Sequence, residues 1–252
     1  MKAQIVISTD DNPQYRFYVP LCVWAWNQFG WDVIILHRGH KELYLPEGLS
    51  YTLHKIPAID PYQSDTIAQV SRLYAAIVAE PGYLMTGDVD MIPLSNYWQP
   101  DPDQITVWGH DLTGFGHYPI CYIGMETSKW KEVMRLDGLS IVEAITRDLE
   151  ELPQASGSDP VRKWVTDQDL ITSVLKPHKK DMVNRGILPN GYAYGRVDRS
   201  AWTLDHPEFI DSHLMRDIYS NPDNLAKTLL LLYKIWPNEN FDWFVKYAQN
   251  FA

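Results

Sequence analysis

Two aspartates near the middle of the chain, Asp88 and Asp90, have types and spacing that suit a metal ion. They follow an apolar run, and in an extended segment side chains two residues apart project to the same side. Paired carboxylates suit Mg²⁺ or Mn²⁺, which in turn bridge phosphate oxygens. The alternative is a solvated turn, since pairs such as Gly87-Asp88 are common in turns. Hydrophobic residues on both sides favour the metal, because a carboxylate in such surroundings needs a partner.

A second pair, Asp167 and Asp169, begins a predicted helix over residues 166–175. If Thr166 is the N-cap, Asp169 completes a Thr-x-x-Asp capping box and has a structural role. Asp167 shares its helical face with the apolar residues from Leu170 onward, so it is expected to point inward. Asp167 is therefore the better candidate for a general base, or for a group that stabilises a positively charged centre or attacks it. Asp169 stays the alternative.

The composition limits the class of protein. The chain has 252 residues, a net charge of −10, and hydrophobic and charged fractions of 45% and 21%, which are ordinary for a globular protein. The negative charge is the wrong sign for binding phosphate backbones, so no nucleic-acid partner is expected. The start of the chain is strand-like and the most apolar run, residues 229–232, is short, so we expect no signal peptide, no membrane insertion and a cytoplasmic protein. Cys22 and Cys121 lie in apolar surroundings and are expected to be buried free thiols.

Predicted strands and helices alternate along the chain. Apolar runs predict strands at residues 5–9, 31–36, 51–56, 83–86, 105–108 and 120–123 and near Phe209. Apolar residues at helical spacing predict helices at residues 17–29, 64–80, 127–136, 140–152 and 166–175 and a helical tail from about residue 222. This order predicts an α/β fold whose mostly parallel central sheet is flanked by helices, in one domain over residues 1–252. Ligands of such sheets bind beyond the carboxyl ends of the strands.

Local signals add detail to this outline. Pro20 is expected either to open or to kink its helix. Ser140 and Glu143 have the spacing of a capping box. Residues 153–160 are rich in Pro, Ser and Gly and form a connector directly before the Asp167 helix, which suggests the hypothesis of a lid.

The arrangement resembles the GT-A-fold glycosyltransferases that use nucleotide sugars, and the glycogenin-like members in particular. The apolar strand, the Asp-x-Asp pair and the following apolar stretch with Pro93 are similar to the metal motif of that family. The loop after the first strand is similar to the loop that contacts the nucleotide there, at Thr9, Asp10, Asp11 and Tyr15. Arg72, on the helix before the aspartate pair, matches a position where the family often has a Lys or Arg near the diphosphate.

Two later segments extend the resemblance. Asp167 and Gln168 resemble the family's Asp-Gln motif at the start of a late helix, and Asp211-Ser212-His213 resembles the late strand whose histidine completes the metal site. Together the five features cover residues 5 to about 216. The size and layout are also similar to small soluble glycosyltransferases of large algal viruses.

The resemblance implies a metal-dependent enzyme, a hexosyl- or pentosyltransferase. It would move a sugar from a nucleotide-diphosphate donor, most often a UDP-sugar in this family, to a hydroxyl of a glycan or of a protein-linked sugar. The resemblance implies that Asp88, Asp90 and His213 hold Mn²⁺ or Mg²⁺ and that Asp167 serves the sugar chemistry. The donor contacts that it implies are Thr9, Asp10, Asp11, Tyr15, Arg72, Asp88 and Val89.

Some features leave questions open. Residues 118–124 depart from the Asn-rich acceptor strand of the glycogenin-like enzymes, so neither the acceptor nor the stereochemistry follows from the resemblance. Residues 108–111 follow a predicted strand and suit contact with an acceptor sugar. The sequence does not rank three further cations, Arg196, Arg199 and Arg216.

Two other functions compete with sugar transfer. A nucleotidyltransferase that makes nucleotide sugars would carry a Gly-rich loop with Lys or Arg after the first strand, and residues 10–13 read Asp-Asp-Asn-Pro instead. A catalytically silent nucleotide- or carbohydrate-binding protein of the same fold would keep the architecture without transfer. Metal-dependent turnover of a donor distinguishes the enzyme from this second rival.

Overall fold

A seven-stranded sheet forms the centre of the fold, in a computed structural model that describes residues 1–109, 117–152, 165–185, 195–206 and 208–251. The strands of these residues are β1 Ala3–Asp10, β2 Asp32–Arg38, β3 Tyr51–Lys55, β4 Tyr83–Thr86, β5 Met91–Pro93, β6 Ile105–Trp108, β7 Ile123–Glu126, β8 Met182–Arg185, β9 Gly195–Asp198 and β10 Phe209–His213. The large sheet has the order β3-β2-β1-β4-β7-β6-β8, and a small sheet has the order β5-β10-β9. In the large sheet β7 is antiparallel to both neighbours, and all other neighbouring strands are parallel. The predicted mostly parallel central sheet is confirmed.

Helices cover both faces of this sheet. The α-helices of the described residues are α1 Pro13–Arg16, α2 Val19–Gln28, α3 Ser64–Ser71, α4 Thr127–Val133, α5 Ile141–Glu151, α6 Thr166–Leu175, α7 Pro222–Ile235 and α8 Asp242–Asn250. One hydrophobic core includes residues of α2, α7 and α8, and a second core includes residues of α3 to α6. No helix among the described residues has the length and apolarity needed to cross a membrane.

The alternation of side chains along β1 supplies both cores. Ile5 and Ile7 belong to the core that contains α2, and Val6 belongs to the core that contains α3. All three side chains are fully buried. A strand with helices on both faces has no solvent-facing side, which explains why the first predicted strand begins with three consecutive apolar residues, Ile5 to Ile7.

Two predicted elements have different local structure. The prediction of one helix over residues 64–80 is wrong in its second half, because α3 passes into a 3₁₀ helix at Arg72–Ile77. Apolar spacing does not separate the two helix types, since both bring residues i and i+3 close together. The strand predicted over residues 120–123 is also wrong, because a 3₁₀ turn at Ile120–Tyr122 precedes β7. A short apolar run is compatible with a buried turn as well as with a buried strand.

The local signals at two helix starts are confirmed. Pro20 lies in the first turn of α2, where its missing N–H costs no helical hydrogen bond. At α5 the Ser140 N–H donates to Glu143 Oε2 at 2.8 Å, and the Glu143 N–H donates to Ser140 Oγ at 3.3 Å. The predicted connector over residues 153–160 lies outside the described residues.

Both cysteines are free and buried, as predicted. Burial raises the pKa of the Cys121 thiol to about 12, and the negative charge of Asp88 acts in the same direction. Burial likewise raises the pKa of Cys22. These thiols therefore stay protonated and act as small apolar side chains of the core.

The order of the large sheet reverses between β1 and β4. The chain passes from β1 outward to β2 and β3, and then returns to place β4 on the other side of β1. In parallel sheets such a reversal opens a crevice at the carboxyl ends of the two central strands, and ligands bind there. Thr9 and Asp10 end β1, and the Asp88 and Asp90 segment follows β4. The topology therefore brings the first polar loop and the aspartate pair to the same crevice.

Gly87, directly after β4, packs closely against the side chain of Ile5 in β1. A Cβ at Gly87 would lie 2.8 Å from Cδ1 of Ile5, so we expect Gly87→Ala to destabilise the fold by about 1–3 kcal/mol, measured by urea unfolding. Ile5→Val removes the obstructing atom. Gly87→Ala should therefore cost less in the Ile5→Val background than in the native chain. An equal cost in both backgrounds would contradict this explanation.

Candidate active site

A cleft at the carboxyl ends of β1 and β4 collects most of the predicted site residues. The predicted residues that line it are Thr9, Asp10, Tyr15, Arg72, Asp88, Val89, Asp90, Asp167 and His213. They come from the end of β1, from α1, from the start of the 3₁₀ helix, from the segment between β4 and β5, from α6 and from β10. Side chains that are far apart in sequence therefore share one cleft.

The aspartate pair lies in a turn. We predicted an extended segment, but the Met91 N–H donates to the Asp88 carbonyl at 3.2 Å and closes a turn between β4 and β5. The Leu214 N–H donates to the Asp90 carbonyl at 2.9 Å, which joins this turn to the end of β10. The turn is needed because the chain leaves the large sheet here and enters the small one. Both carboxylates nevertheless line the cleft.

Arg72 joins the aspartate turn to α6. Its Nη1 donates to the Gly87 carbonyl at 2.9 Å and also contacts the Asp88 carboxylate. Its Nη2 donates to Asp167 Oδ2 at 2.6 Å. Arg72 is buried and does not lie on a solvated helix face. A direct role of Arg72 at a diphosphate stays a prediction, because both terminal nitrogens already donate to protein oxygens.

Asp167 points inward, as its helical position predicted. It is only 2% exposed, and its Oδ1 accepts the Gln168 N–H at 2.8 Å. Burial raises the pKa of Asp167 although the Arg72 guanidinium opposes the shift. A buried carboxylate with a raised pKa is a stronger base than one in water, and such groups are concentrated at functional sites.

Asp90, which also lines the cleft, faces two cationic groups. Its Oδ2 accepts a hydrogen bond from Arg199 Nη1 at 2.8 Å and lies 3.3 Å from His213 Nε2. Burial alone would raise the pKa of Asp90, but its contacts with His213 and Arg199 lower it below the ordinary value. Burial alone would lower the pKa of His213, but hydrogen bonds to Asp198 and Asp90 raise it to about 9. In this structure the negative charge of Asp90 is therefore balanced by neighbouring protein groups.

Most of the residues predicted in the loop after β1 line the cleft. Asp10 lines the cleft, and its carboxylate accepts the Asn12 N–H and the Ser64 hydroxyl, both at 3.0 Å. These bonds tie the end of β1 to the start of α3. Thr9 and Tyr15 also line the cleft, so three of the four residues predicted in this loop contribute to its wall.

Asp11 lies away from the cleft wall. Its carboxylate accepts the N–H groups of His40 and Lys41 at 2.8 and 3.1 Å and contacts His37 Nε2 at 3.2 Å. These bonds hold the segment after β2. The carboxylate is therefore engaged in loop structure on the side of β2, and a donor contact by Asp11 stays a prediction.

Asp169 has a different partner from the one predicted. The capping box with Thr166 is wrong, because Val165 is the N-cap residue and no side chain caps this end of α6. Asp169 instead places its Oδ1 3.0 Å from His117 Nδ1. It is not among the residues that line the cleft. The geometry thus favours Asp167 over Asp169 as the carboxylate that faces a ligand.

Sequence reasoning missed further residues of the cleft wall. Asp65 and Gln69 line it from α3, and they precede Arg72 at intervals of seven and three residues. Residues at these helical spacings share a face, so the position of Arg72 was a signal that could have identified them. Gln168, which the resemblance already included, lines the cleft beside Asp167.

The structure separates the three unranked arginines. Arg199 lines the cleft and contacts Asp90. Arg196 forms a buried two-pronged pair with Asp211, at 2.9 and 2.6 Å, and is structural. Arg216 is exposed. Of residues 108–111, the suggested acceptor contacts, Trp108 is wrong because it is fully buried in the core, and His110 and Asp111 lie outside the described residues.

The donor types around Asp90 suit a divalent cation. Asp88 and Asp90 offer carboxylate oxygens, and His213 offers an imidazole whose other nitrogen contacts Asp198 at 3.2 Å. Within the described ranges, however, no three His, Cys, Asp or Glu side chains are grouped as ligands of one ion. Arg72 and Arg199 contact the two carboxylates instead. Ion binding therefore requires these side chains to rearrange.

Comparison with known proteins leaves the function to be argued from this geometry. A scan against protein-family models gives no match, and a search of curated proteins gives no significant match.

Proposed function

We propose that the protein is a metal-dependent glycosyltransferase of the GT-A type, which uses a nucleotide-diphosphate sugar as donor. The observation that carries this proposal is that Asp88, Asp90, Asp167 and His213 line one cleft at the reversal point of the sheet. A crevice there suits a nucleotide. A pair of carboxylates and a separate buried carboxylate in the same cleft suit a reaction that needs both a phosphate-bound ion and a base.

The residues of the cleft divide into a donor side and a reaction side. Asp88, Asp90 and His213 would hold Mn²⁺ or Mg²⁺, which offsets negative charge on the departing nucleoside diphosphate when it is bound. Thr9, Asp10 and Tyr15 would contact the nucleotide, and UDP is the first one to test. Arg72 and Arg199, once released from their carboxylates, provide further positive charge for the diphosphate.

Asp167 is the proposed catalytic residue. In transfer, the bond from the anomeric carbon to the diphosphate oxygen breaks, and its electrons stay on the diphosphate. The acceptor hydroxyl oxygen then bonds to the anomeric carbon and loses its proton. Asp167 either receives that proton, or it stabilises the positive charge on the anomeric carbon while the departing diphosphate oxygen takes up the proton. Arg72 limits where this carboxylate can lie, because Nη2 of Arg72 is 2.6 Å from its Oδ2.

A second candidate is a catalytically silent protein that binds nucleotides or carbohydrates in the same cleft. The pairing of Asp88 and Asp90 with Arg72 and Arg199 favours it, because these ion pairs satisfy the carboxylates without a metal. The two functions differ in turnover. Release of free sugar or of nucleoside diphosphate from a donor, dependent on Mn²⁺, requires the enzyme.

Thermal-shift measurements with UDP-, GDP- and dTDP-sugars test donor binding directly. One nucleotide class is expected to raise the melting temperature, and Mn²⁺ is expected to increase that rise. A ligand at one hundred times its dissociation constant stabilises the folded state by about 2.7 kcal/mol. The control is the same sugar without its nucleotide, which should give no comparable shift. If no nucleotide sugar shifts the transition with or without Mn²⁺, the proposed donor class is wrong.

A further inference from the structure

His213 is held between two carboxylates on opposite sides of its ring. Nε2 lies 3.3 Å from Asp90 Oδ2, and Nδ1 lies 3.2 Å from Asp198 Oδ2. Asp90 belongs to the aspartate turn, whereas Asp198 ends β9, a strand that we did not predict. The His213 ring therefore lies between Asp90, which lines the cleft, and Asp198, which does not.

The register of the small sheet produces this contact. β9 and β10 are parallel, and Asp198 is the direct partner of His213 in that register. Asp198 is itself fixed, because its Oδ1 accepts the Ser200 N–H at 2.8 Å and the Ser200 hydroxyl at 2.5 Å. Its other oxygen, Oδ2, is the one that faces His213. One oxygen thus closes a local turn and the other contacts the imidazole.

A carboxylate at one imidazole nitrogen determines what the other nitrogen can do. In neutral imidazole one nitrogen carries the proton and the other has a lone pair. An acceptor at Nδ1 holds a proton there, so Nε2 is the nitrogen that gives up its proton when a cation binds. In histidines that bind metals this arrangement sets the orientation of the ring and strengthens the ligand. Here it directs Nε2 toward Asp90 and the cleft.

We infer that Asp198 is a positioning residue of the cation site, which holds the His213 ring with Nε2 directed toward Asp90. This inference rests on the proposed function, because it assigns a role to Asp198 only if Asp88, Asp90 and His213 bind a divalent cation. Asp198 is not among the residues that line the cleft, so the role assigned to it acts through His213. Its effect is on the affinity of the site for the ion.

The alternative role for Asp198 is purely structural. Its bonds to Ser200 close a turn after β9, and that role needs only Oδ1. A structural role predicts that loss of the carboxylate changes stability and leaves ion affinity unchanged. The positioning role predicts that Asp198→Asn lowers ion affinity and changes stability little, since an asparagine keeps the size of the side chain and can still close the turn.

Mn²⁺ titration of the full chain, read by electron paramagnetic resonance of the free ion, tests this inference without using activity. Asp198→Asn is expected to weaken Mn²⁺ binding about 10- to 100-fold, the usual effect of losing such an outer carboxylate. The matched control is Asp205→Asn, an exposed aspartate nearby in the sequence, which should bind Mn²⁺ as the native chain does. Urea unfolding of each variant shows whether it is folded.

A second measurement keeps the test valid if Asp198→Asn is poorly folded. ¹⁵N chemical shifts of His213 in the native chain with saturating Mg²⁺ should show a protonated Nδ1 and an unprotonated Nε2. In a His213→Gln background, moreover, Asp198→Asn should cause no further loss of Mn²⁺ affinity, because the residue that it positions is gone.

The outcomes separate this inference from the function on which it rests. If the native chain binds no Mn²⁺ at millimolar concentration, the metal site of the proposed function fails and the inference fails with it. If the native chain binds Mn²⁺ and Asp198→Asn binds it equally well, the inference alone is overturned. A proton on Nε2 in the Mg²⁺-saturated chain also overturns it.

Discussion

Replacing Asp90 by asparagine is expected to reduce metal-dependent sugar transfer on the order of 10³-fold. Asp90 is the buried member of the aspartate pair and contacts both His213 and Arg199. A bound divalent ion stabilises the leaving diphosphate by several kcal/mol, and each 1.36 kcal/mol lost lowers the rate about tenfold. Rates of donor turnover with increasing Mn²⁺ measure the effect. High Mn²⁺ should recover little activity, since a neutral amide is a poor replacement for the carboxylate.

Asparagine is preferred to alanine at this position for a structural reason. Alanine would leave Arg199 and His213 facing an empty volume without an acceptor, and removing one member of a buried ion pair destabilises proteins. Asparagine keeps the volume and an acceptor oxygen. Asp103→Asn, at an exposed position, is the matched control and should retain native activity. Native turnover by folded Asp90→Asn would remove Asp90 from the proposed metal site.

Replacing Asp167 by asparagine is the second large effect that we expect. Transfer should fall by about 10²- to 10⁴-fold, the usual contribution of a general base. Affinity for donor and Mn²⁺ should change only a few-fold, because Asp167 lies on the reaction side of the cleft. Single-turnover rates with saturating donor, together with donor binding measured by calorimetry, separate these two quantities.

Asp169→Asn is the matched control for this variant. It changes the same chemical group two residues away, but Asp169 contacts His117 and does not line the cleft. We expect Asp169→Asn to keep most of the transfer rate. The assignment of the two carboxylates would be reversed by the opposite result, in which Asp169→Asn loses transfer and Asp167→Asn retains it.

Much of the fold follows from local patterns in the sequence. The apolar, β-branched run of β1 predicts a strand because its side chains fill cores on both faces of the sheet. The capping signal Ser140 and Glu143 predicts the start of α5 because both hydrogen bonds form between residues three apart. The strands β5, β8 and β9 have three or four residues each and were not predicted. Strands this short depend on partners from distant parts of the chain.

The sequence by itself determined which side chains are candidates for chemistry. The Asp88 and Asp90 pair and the inward face of Asp167 could be identified because each depends on neighbours within a few residues. Only the tertiary structure decided which groups meet. Arg72 contacts Asp167 across 95 positions of the chain, and Asp90 contacts Arg199 across 109. Such contacts depend on the paths of separate elements through the fold.

The same physical reason explains the residues whose partners differed from expectation. Thr166 followed by Asp169 has the spacing of a capping box, but the helix begins one residue earlier than a Thr166 N-cap requires, and Asp169 contacts His117 instead. Asp11 belongs to the predicted nucleotide loop by sequence, yet N–H groups near residue 40 bind its carboxylate. Asp198 had no local signal, because its role arises from the register of β9 against β10. Residue type and spacing show what a side chain can bind, and the packing of distant segments decides what it does bind.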